Sequence, residues 1–344
     1  MSTFADFSQL DFAAHSRPPV VESFRHRLDF DPTYGHRFAD LLAVRPPENA
    51  PTDFEAFWRG LHARALAEPT EIERKPDAWA SESHRLYRLR YTSLGGVRIG
   101  AWLLVPVDEA SVERGVVVGH GYGGRDGPSL IPGLEERAAM LFPCARGLPA
   151  LSGGAVPGIE AFAHHVLVGI EDKFTYVHGG CAADHVCAVT VLLELFPQVA
   201  GRVAYWGSSF GGGMGALFAP WEDRLNRVAL GQPSFGHHPY RVTVPCTGSG
   251  AYVKERYERD PGIMDATLRY FDAASAATHL RVPALVAPSL FDPGVPPPGQ
   301  FAVFNAIPGP KTLHLSRFGH FAHRDNAEEE RLRGESLRDF LHDL

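Results

Sequence analysis

Residues 202–216 run RVAYWGSSFGGGMGA, and the fold follows from how this stretch is read. An apolar run with strand character leads into Gly207-Ser208-Ser209-Phe210-Gly211, and a helical stretch follows over 210–219. Strand, G-x-S-x-G, helix is the context of a nucleophile elbow. The turn is tight enough that Gly207 and Gly211 avoid collisions a Cβ would make with the neighbouring strand or helix. Ser209 is then exposed above the sheet, at a helix N-terminus that favours developing negative charge. Ser208 is the rival nucleophile but lies off the central position of the motif. In a chain with 35 glycines the pattern alone also fits a plain glycine-rich turn.

Outward from this stretch, short buried runs at 114–119, 140–144, 202–206, 227–230, 284–289 and 311–316 alternate with helical stretches. The helical stretches fall at 180–196, 210–219, 264–279, 297–306 and 326–343. That alternation predicts an α/β fold, a mostly parallel central sheet with helices on both faces. Upstream, apolar and aromatic residues on either side of Leu94-Gly95-Gly96 predict an antiparallel hairpin. Thr52 and Glu55 form a T-x-x-E capping box, and the spacing behind it predicts an opening helix over 53–67. Residues 1–50 read as an extended arm laid over the body, and 51–344 as one domain with its catalytic core over about 84–344.

The chain has 344 residues, 44% apolar and 21% charged, so it can bury a full core. Its 33 basic and 40 acidic side chains give a formal charge of −7, which gives no footprint for nucleic acid or an anionic membrane. No apolar run reaches the length of a membrane span, and the first residues lack a signal-peptide pattern. The four cysteines, Cys144, Cys181, Cys187 and Cys246, form no C-x-x-C pair and no disulfide framework. The expectation is a reduced, cytoplasmic protein.

A nucleophilic serine needs a base and an orienting acid, which in this architecture follow in the order Ser, Asp, His. The run 284–289 leads to Asp292, beyond a strand's C-terminal edge, where open α/β sheets keep their sites. The run 311–316 leads to His320, with His323 as the rival base. His320 would take the Ser209 proton and Asp292 would fix its tautomer. The oxyanion needs two donors. The N–H of Phe210, the residue after the nucleophile, supplies one. The glycine-rich loop His120-Gly121-Tyr122-Gly123-Gly124 supplies the other through the N–H of Tyr122. His320 and His323 have H-x-x-H spacing, but they follow a strand in a loop and lack the internal Glu of a zinc helix. No Walker or dinucleotide loop appears, and the expectation is an enzyme without metal or cofactor. The pairs His164–His165 and His237–His238 read as solvated or cleft-lining. Residues 233–261, with Phe235, Tyr240, Tyr252 and Tyr257, read equally as a lid wall or as core.

From residue 52 to the C-terminus the motifs resemble, in order, the acetyl xylan esterase and cephalosporin-C deacetylase family of α/β hydrolases (carbohydrate esterase family seven). The matching segments are TDFEAFW, GAWLLVPV, HGYGG, Arg146-Gly147, GSSFGGG, TLRYFDAASAATHLRVPALV, FDPGVPPPGQFAVFNAIPGPK and the closing Gly319-His320. The resemblance implies an α/β-hydrolase fold, with nucleophile Ser209, acid Asp292, base His320 and oxyanion donors Tyr122 and Phe210. It also implies metal-free removal of acetyl groups from small sugars or cephalosporin C, with a small-molecule ester as partner and a ring-shaped homo-oligomer. Leu148, Phe210 and Phe321 stand where the family usually carries Gln, Gln and Glu. These three changes predict apolar contacts in place of a polar network behind the site, with the Phe210 backbone donor kept. The alternatives are a serine peptidase, a general esterase, or a non-catalytic binding protein on the same fold.

Overall fold

The computed structural model describes residues 10–22, 24–156, 164–342 and 344. Helices α1 (Phe38–Ala43) and α2 (Phe54–Leu66) precede three strands, β1 (Glu73–Ala80), β2 (His84–Ser93) and β3 (Val97–Pro106). Strands β4 (Arg114–Val118) and β5 (Ala138–Pro143) lead to the long helix α3 (Val177–Leu195). Then come β6 (Val203–Ser208), α4 (Phe210–Phe218) and β7 (Arg227–Gly231). Four short helices follow, α5 (His238–Arg241), α6 (Gly250–Arg259), α7 (Ile263–Ala266) and α8 (Ala273–Ala277). The chain ends with β8 (Ala284–Ala287), β9 (Ser289–Phe291), α9 (Pro297–Ala306), β10 (Lys311–Leu313), β11 (Ser316–Phe318) and α10 (Asn326–His342).

The main sheet has nine strands in the order β1-β2-β3-β5-β4-β6-β7-β8-β10. Pairing is antiparallel from β1 to β5 and parallel from β5 through β10. Side chains alternate between two cores, as strand geometry requires. Val117 and Leu141 face the larger core with α2, α3, α4 and α9, while Val116 and Met140 face Leu337 and Leu341 of α10. The sheet is therefore covered on both faces, as the apolar runs predict.

Two readings are corrected, and one strand is absent from the sequence reading. Strand β1 has no apolar alternation, carries Pro76 and breaks register between Pro76 and Ala80, which an edge strand tolerates. The stretch 264–279 is not one helix. The Asp272 carboxylate accepts from the N–H groups of Ala274 and Ser275 at 3.0 and 3.1 Å, capping a new start at α8. The arm is not wholly extended, because the Asp40 carboxylate accepts from the Arg37 N–H at 2.9 Å and Phe38 and Leu41 are buried, which nucleates α1. Residues 11–17 do run along the sheet edge, interrupted by a turn in which Ser16 N donates to Ala13 O at 2.9 Å. Leu313 donates to Asp11 O, Ala13 to Leu313 O and Arg17 to Leu315 O at 2.7–3.1 Å. Residues 1–9 and 23 of the predicted arm lie outside the described residues.

The runs 284–289 and 311–316 each split in two. Pro288 lacks the donor a continuous ladder needs, and beyond it β9 leaves the main sheet to pair in parallel with β11. The register Ser316↔Ser289 and Phe318↔Phe291 brings the residues that follow each strand side by side. Those residues are Asp292 and Gly319-His320.

Candidate active site

The elbow is built as its glycines require. A Cβ on Gly207 would lie 2.6 Å from the Gly211 carbonyl carbon, and one on Gly211 would lie 2.9 Å from the His120 carbonyl oxygen. Ser209 sits at φ +57°, ψ −115°, a left-handed conformation held between β6 and the first turn of α4. Its N–H donates to Gly231 O at 2.8 Å and its carbonyl accepts from Ser234 N at 3.1 Å, so the turn is pinned to β7.

The structure brings Ser209, His320 and Asp292 into one line. Ser209 Oγ lies 2.8 Å from His320 Nε2, and His320 Nδ1 lies 2.8 and 3.0 Å from the Asp292 oxygens. A carboxylate at Nδ1 fixes the proton there, leaving Nε2 to accept from the serine hydroxyl. Asp292 is fully buried. Its Oδ1 accepts from the N–H groups of Gly294 and Val295 at 2.8 and 2.9 Å, and Oδ2 from Gln300 Nε2 at 2.9 Å. Its own N–H donates to Pro32 O at 3.0 Å. Burial of the His320 ring disfavours its cation, but the Asp292 charge and hydrogen bond outweigh this and raise its pKa above the ordinary 6.5.

Tyr122 and Phe210 stand together beside the nucleophile, their ring centroids 4.7 Å apart. Among the described residues neither backbone N–H has a backbone acceptor. The loop carrying Tyr122 is tied to the elbow by Gly211 N donating to His120 O at 2.8 Å. The His120 ring is a fixed strut. Nδ1 donates to Gly121 O at 2.7 Å, and Nε2 accepts from Ala145 N at 2.9 Å. Burial, with the Arg125 charge, lowers its pKa to about 3, so it stays neutral. The Tyr122 hydroxyl donates to His165 Nδ1 at 2.8 Å, because His165 Nε2 is committed to Arg146 O at 2.9 Å.

The rivals stand elsewhere. Ser208 Oγ donates to Gln232 Oε1 at 2.9 Å, and His323 packs against Phe24 and Phe318. The histidine pairs are less solvated than expected. His238 is buried and hydrogen-bonds Phe271 O, and His165 holds Tyr122. In the segment 233–261, Phe235 is fully buried 6.0 Å from Phe210, and Thr247 N donates to Pro293 O at 2.7 Å, bracing the Asp292 loop.

At the three departures the replacement is only partly apolar. Phe321 joins Phe24, Phe291 and Phe318, and Leu148 is buried. Beside Leu148, however, Arg146 pairs with buried Asp184 at 2.7 Å, and Ser93 Oγ donates to the same carboxylate. Sequence reasoning missed Gln300, His120 and Pro32 as supports. Gln300 falls in the quoted FDPGVPPPGQFAVFNAIPGPK segment, whereas the Pro32 carbonyl leaves no mark in sequence. Among the described residues no three metal-ligating side chains cluster, and no helix is long and apolar enough to cross a membrane.

A family model described as acetyl xylan esterase (AXE1) matches residues 37–333. An acetyl xylan esterase from Paenibacillus sp. R4 is similar in structure at 23% identity and TM-score 0.77, covering 89% of this chain and 98% of that one. Acetyl xylan esterase 1 from Thermoanaerobacterium sp. JW/SL YS485 is similar at 21% identity and TM-score 0.78, covering 91% and 99%. A Pyrococcus horikoshii acylaminoacyl peptidase shares the fold more distantly, at 15% identity and TM-score 0.56 over 81% of this chain and 42% of that one.

Proposed function

The chain belongs to the acetyl xylan esterase family, and from that premise we propose that Ser209 is its nucleophile, His320 its proton carrier and Asp292 the carboxylate that orients the imidazole. Membership makes it a serine carboxylic ester hydrolase acting on acetyl esters. The observation that best supports the residue roles is the unbroken line from Ser209 Oγ through His320 to Asp292, with both contacts at 2.8 Å.

In this reading His320 Nε2 takes the hydroxyl proton as Ser209 Oγ bonds to the ester carbon. The carbonyl oxygen becomes an oxyanion between the N–H groups of Phe210 and Tyr122, at the positive end of α4. Asp292 stabilises the imidazolium without taking its proton. The bond to the alcohol then breaks and His320 returns the proton to the leaving oxygen. Water repeats the sequence on the acetyl-enzyme and releases acetate. Acetylated small sugars are the substrates we assign.

The test is hydrolysis of p-nitrophenyl esters from acetate to octanoate by the intact protein and by Ser209→Ala. A maximum at acetate that disappears in the variant is expected. A maximum at longer chains would keep the mechanism but replace the deacetylase by a general esterase. Full activity in Ser209→Ala would overturn the nucleophile assignment.

A further inference from the structure

Next to the elbow, on the α10 side of the sheet, lies a cavity of about 440 Å³. Its origin is in the sequence. Residues 127–133 read GPSLIPG, and the paired glycines and prolines prevent a helix over this part of the sheet. The lining includes His120, Arg125, Trp206, Ser208, Glu330 and Arg333.

Two of these side chains are cations, Arg125 and Arg333. Arg125 is only 7% exposed and forms no ion pair among the described residues. Its Nη2 donates to Val118 O at 2.8 Å, while Nε and Nη1 are buried without a hydrogen-bond partner. Burial lowers its pKa to about 10, which leaves it charged at neutral pH. Arg333, on α10, makes one long contact, 3.4 Å from Nη1 to Gln232 Oε1, and likewise forms no ion pair among the described residues. Glu330 lines the cavity too, exposed and one turn before Arg333, and its charge acts on Arg333 together with that of Glu329, which is engaged by Arg17 and Arg317. Unpaired buried donors such as those of Arg125 are costly unless a ligand satisfies them.

The cavity is not remote from the chemistry. Arg333 also lines a neighbouring cavity of about 380 Å³ whose wall includes Gln232 and His320. The two cavities share Glu330 and Arg333 in their walls, and between them those walls include Arg125, Ser208 and His320. We propose that Arg125 and Arg333 form an anion subsite for the alcohol half of the substrate, so that the preferred acetyl ester carries a carboxylate or phosphate group. This rests on the esterase reading above. Guanidinium suits both oxyanions. The formal charge of −7 repels anions in bulk, so a preference for them needs a local site of this kind.

The test compares 4-acetoxyphenylacetate with its methyl ester, and with 4-acetoxybenzylphosphonate as the phosphate-like arm. The three share similar leaving groups. The expected ratio of anionic to neutral kcat/KM is at least about tenfold, carried mainly by KM. It should fall toward one in Arg333→Gln and in Arg125→Met. Arg333→Gln is the second route should the buried Arg125→Met fail to fold. The better of the two anions identifies the natural group. Binding of the product 4-hydroxyphenylacetate by calorimetry reads the subsite without turnover, and should weaken about tenfold in Arg333→Gln. A ratio of one or less for both anions in the unaltered protein would overturn the subsite, as would a preference that survives both substitutions. Loss of methyl ester hydrolysis with product binding intact would instead count against the esterase reading alone.

Discussion

Gly319 leaves no room for a side chain above Asp292. A Cβ at position 319 would overlap both Asp292 Oδ2 and Ser289 Oγ. The β9–β11 register produces this approach, because it sets the residue after Phe318 against the residue after Phe291. The acid and the base are thus held by backbone geometry as much as by their mutual hydrogen bond.

Gly319→Ala should therefore move the carboxylate off the imidazole while the sheet stays folded. A displacement of that order lowers kcat about 10²-fold. Initial rates on p-nitrophenyl acetate, with circular dichroism as the fold control, will show it, and an unchanged kcat would mean that the loop yields without cost.

The pH profile follows from His320. Turnover needs its neutral form, and Asp292, acting against burial, raises its pKa in the folded protein. The acid limb of kcat/KM should have its midpoint above the ordinary histidine value of 6.5. Asp292→Asn should lower kcat by about 10³–10⁴ and move that limb to lower pH. A limb that did not move would assign it to another group.

Stability carries the opposite sign for the same ring. A raised folded pKa favours the protonated folded state, so the contribution of His320 is complete below its unfolded pKa and is lost as pH rises through the folded one. His120 behaves in the reverse way, with its folded pKa lowered from 6.5 to about 3. Its contribution is present above 6.5 and is lost as pH falls toward about 3. Urea midpoints should therefore drop as pH falls through this window, and His120→Gln should flatten that acid loss.

Phe24 bridges the two site-bearing strands, with ring centroids 5.0 Å from Phe291 and 5.2 Å from Phe318. Phe24→Ala should lower stability by up to about 3 kcal/mol, since one edge of the cluster is open to solvent. It should also reduce kcat by loosening the Asp292 and His320 loops. Denaturant unfolding set beside kcat separates the two effects, and a stability loss with kcat unchanged would confine Phe24 to packing.

Much of the site is legible in the sequence because its signals are local. A strand, a glycine-flanked serine and a helix lie within fifteen residues of one another, and Asp292 and His320 each follow an apolar run. The offset of β9 and β11 is not legible, since parallel pairing between residues far apart leaves no periodicity in either segment. Pro32 supports Asp292 through a backbone carbonyl that any residue would offer. Strand β1 is too polar to show alternation, and the break at Asp272 is made by a side-chain cap inside an otherwise helical pattern. Arg125 and Arg333 look in sequence like ordinary surface charges. Only the fold shows that both line one cavity.

The arm along β10 also sets an order of events. Residues 11–17 dock on residues 313–315, so this segment must wait for one about 300 residues later in sequence before finding its place. The nucleophile's elbow and the sheet around it can form earlier, from contacts closer in sequence. The acid loop, held in part by Pro32 and Phe24, can be completed only once residues 24–32 have met the β9–β11 pair.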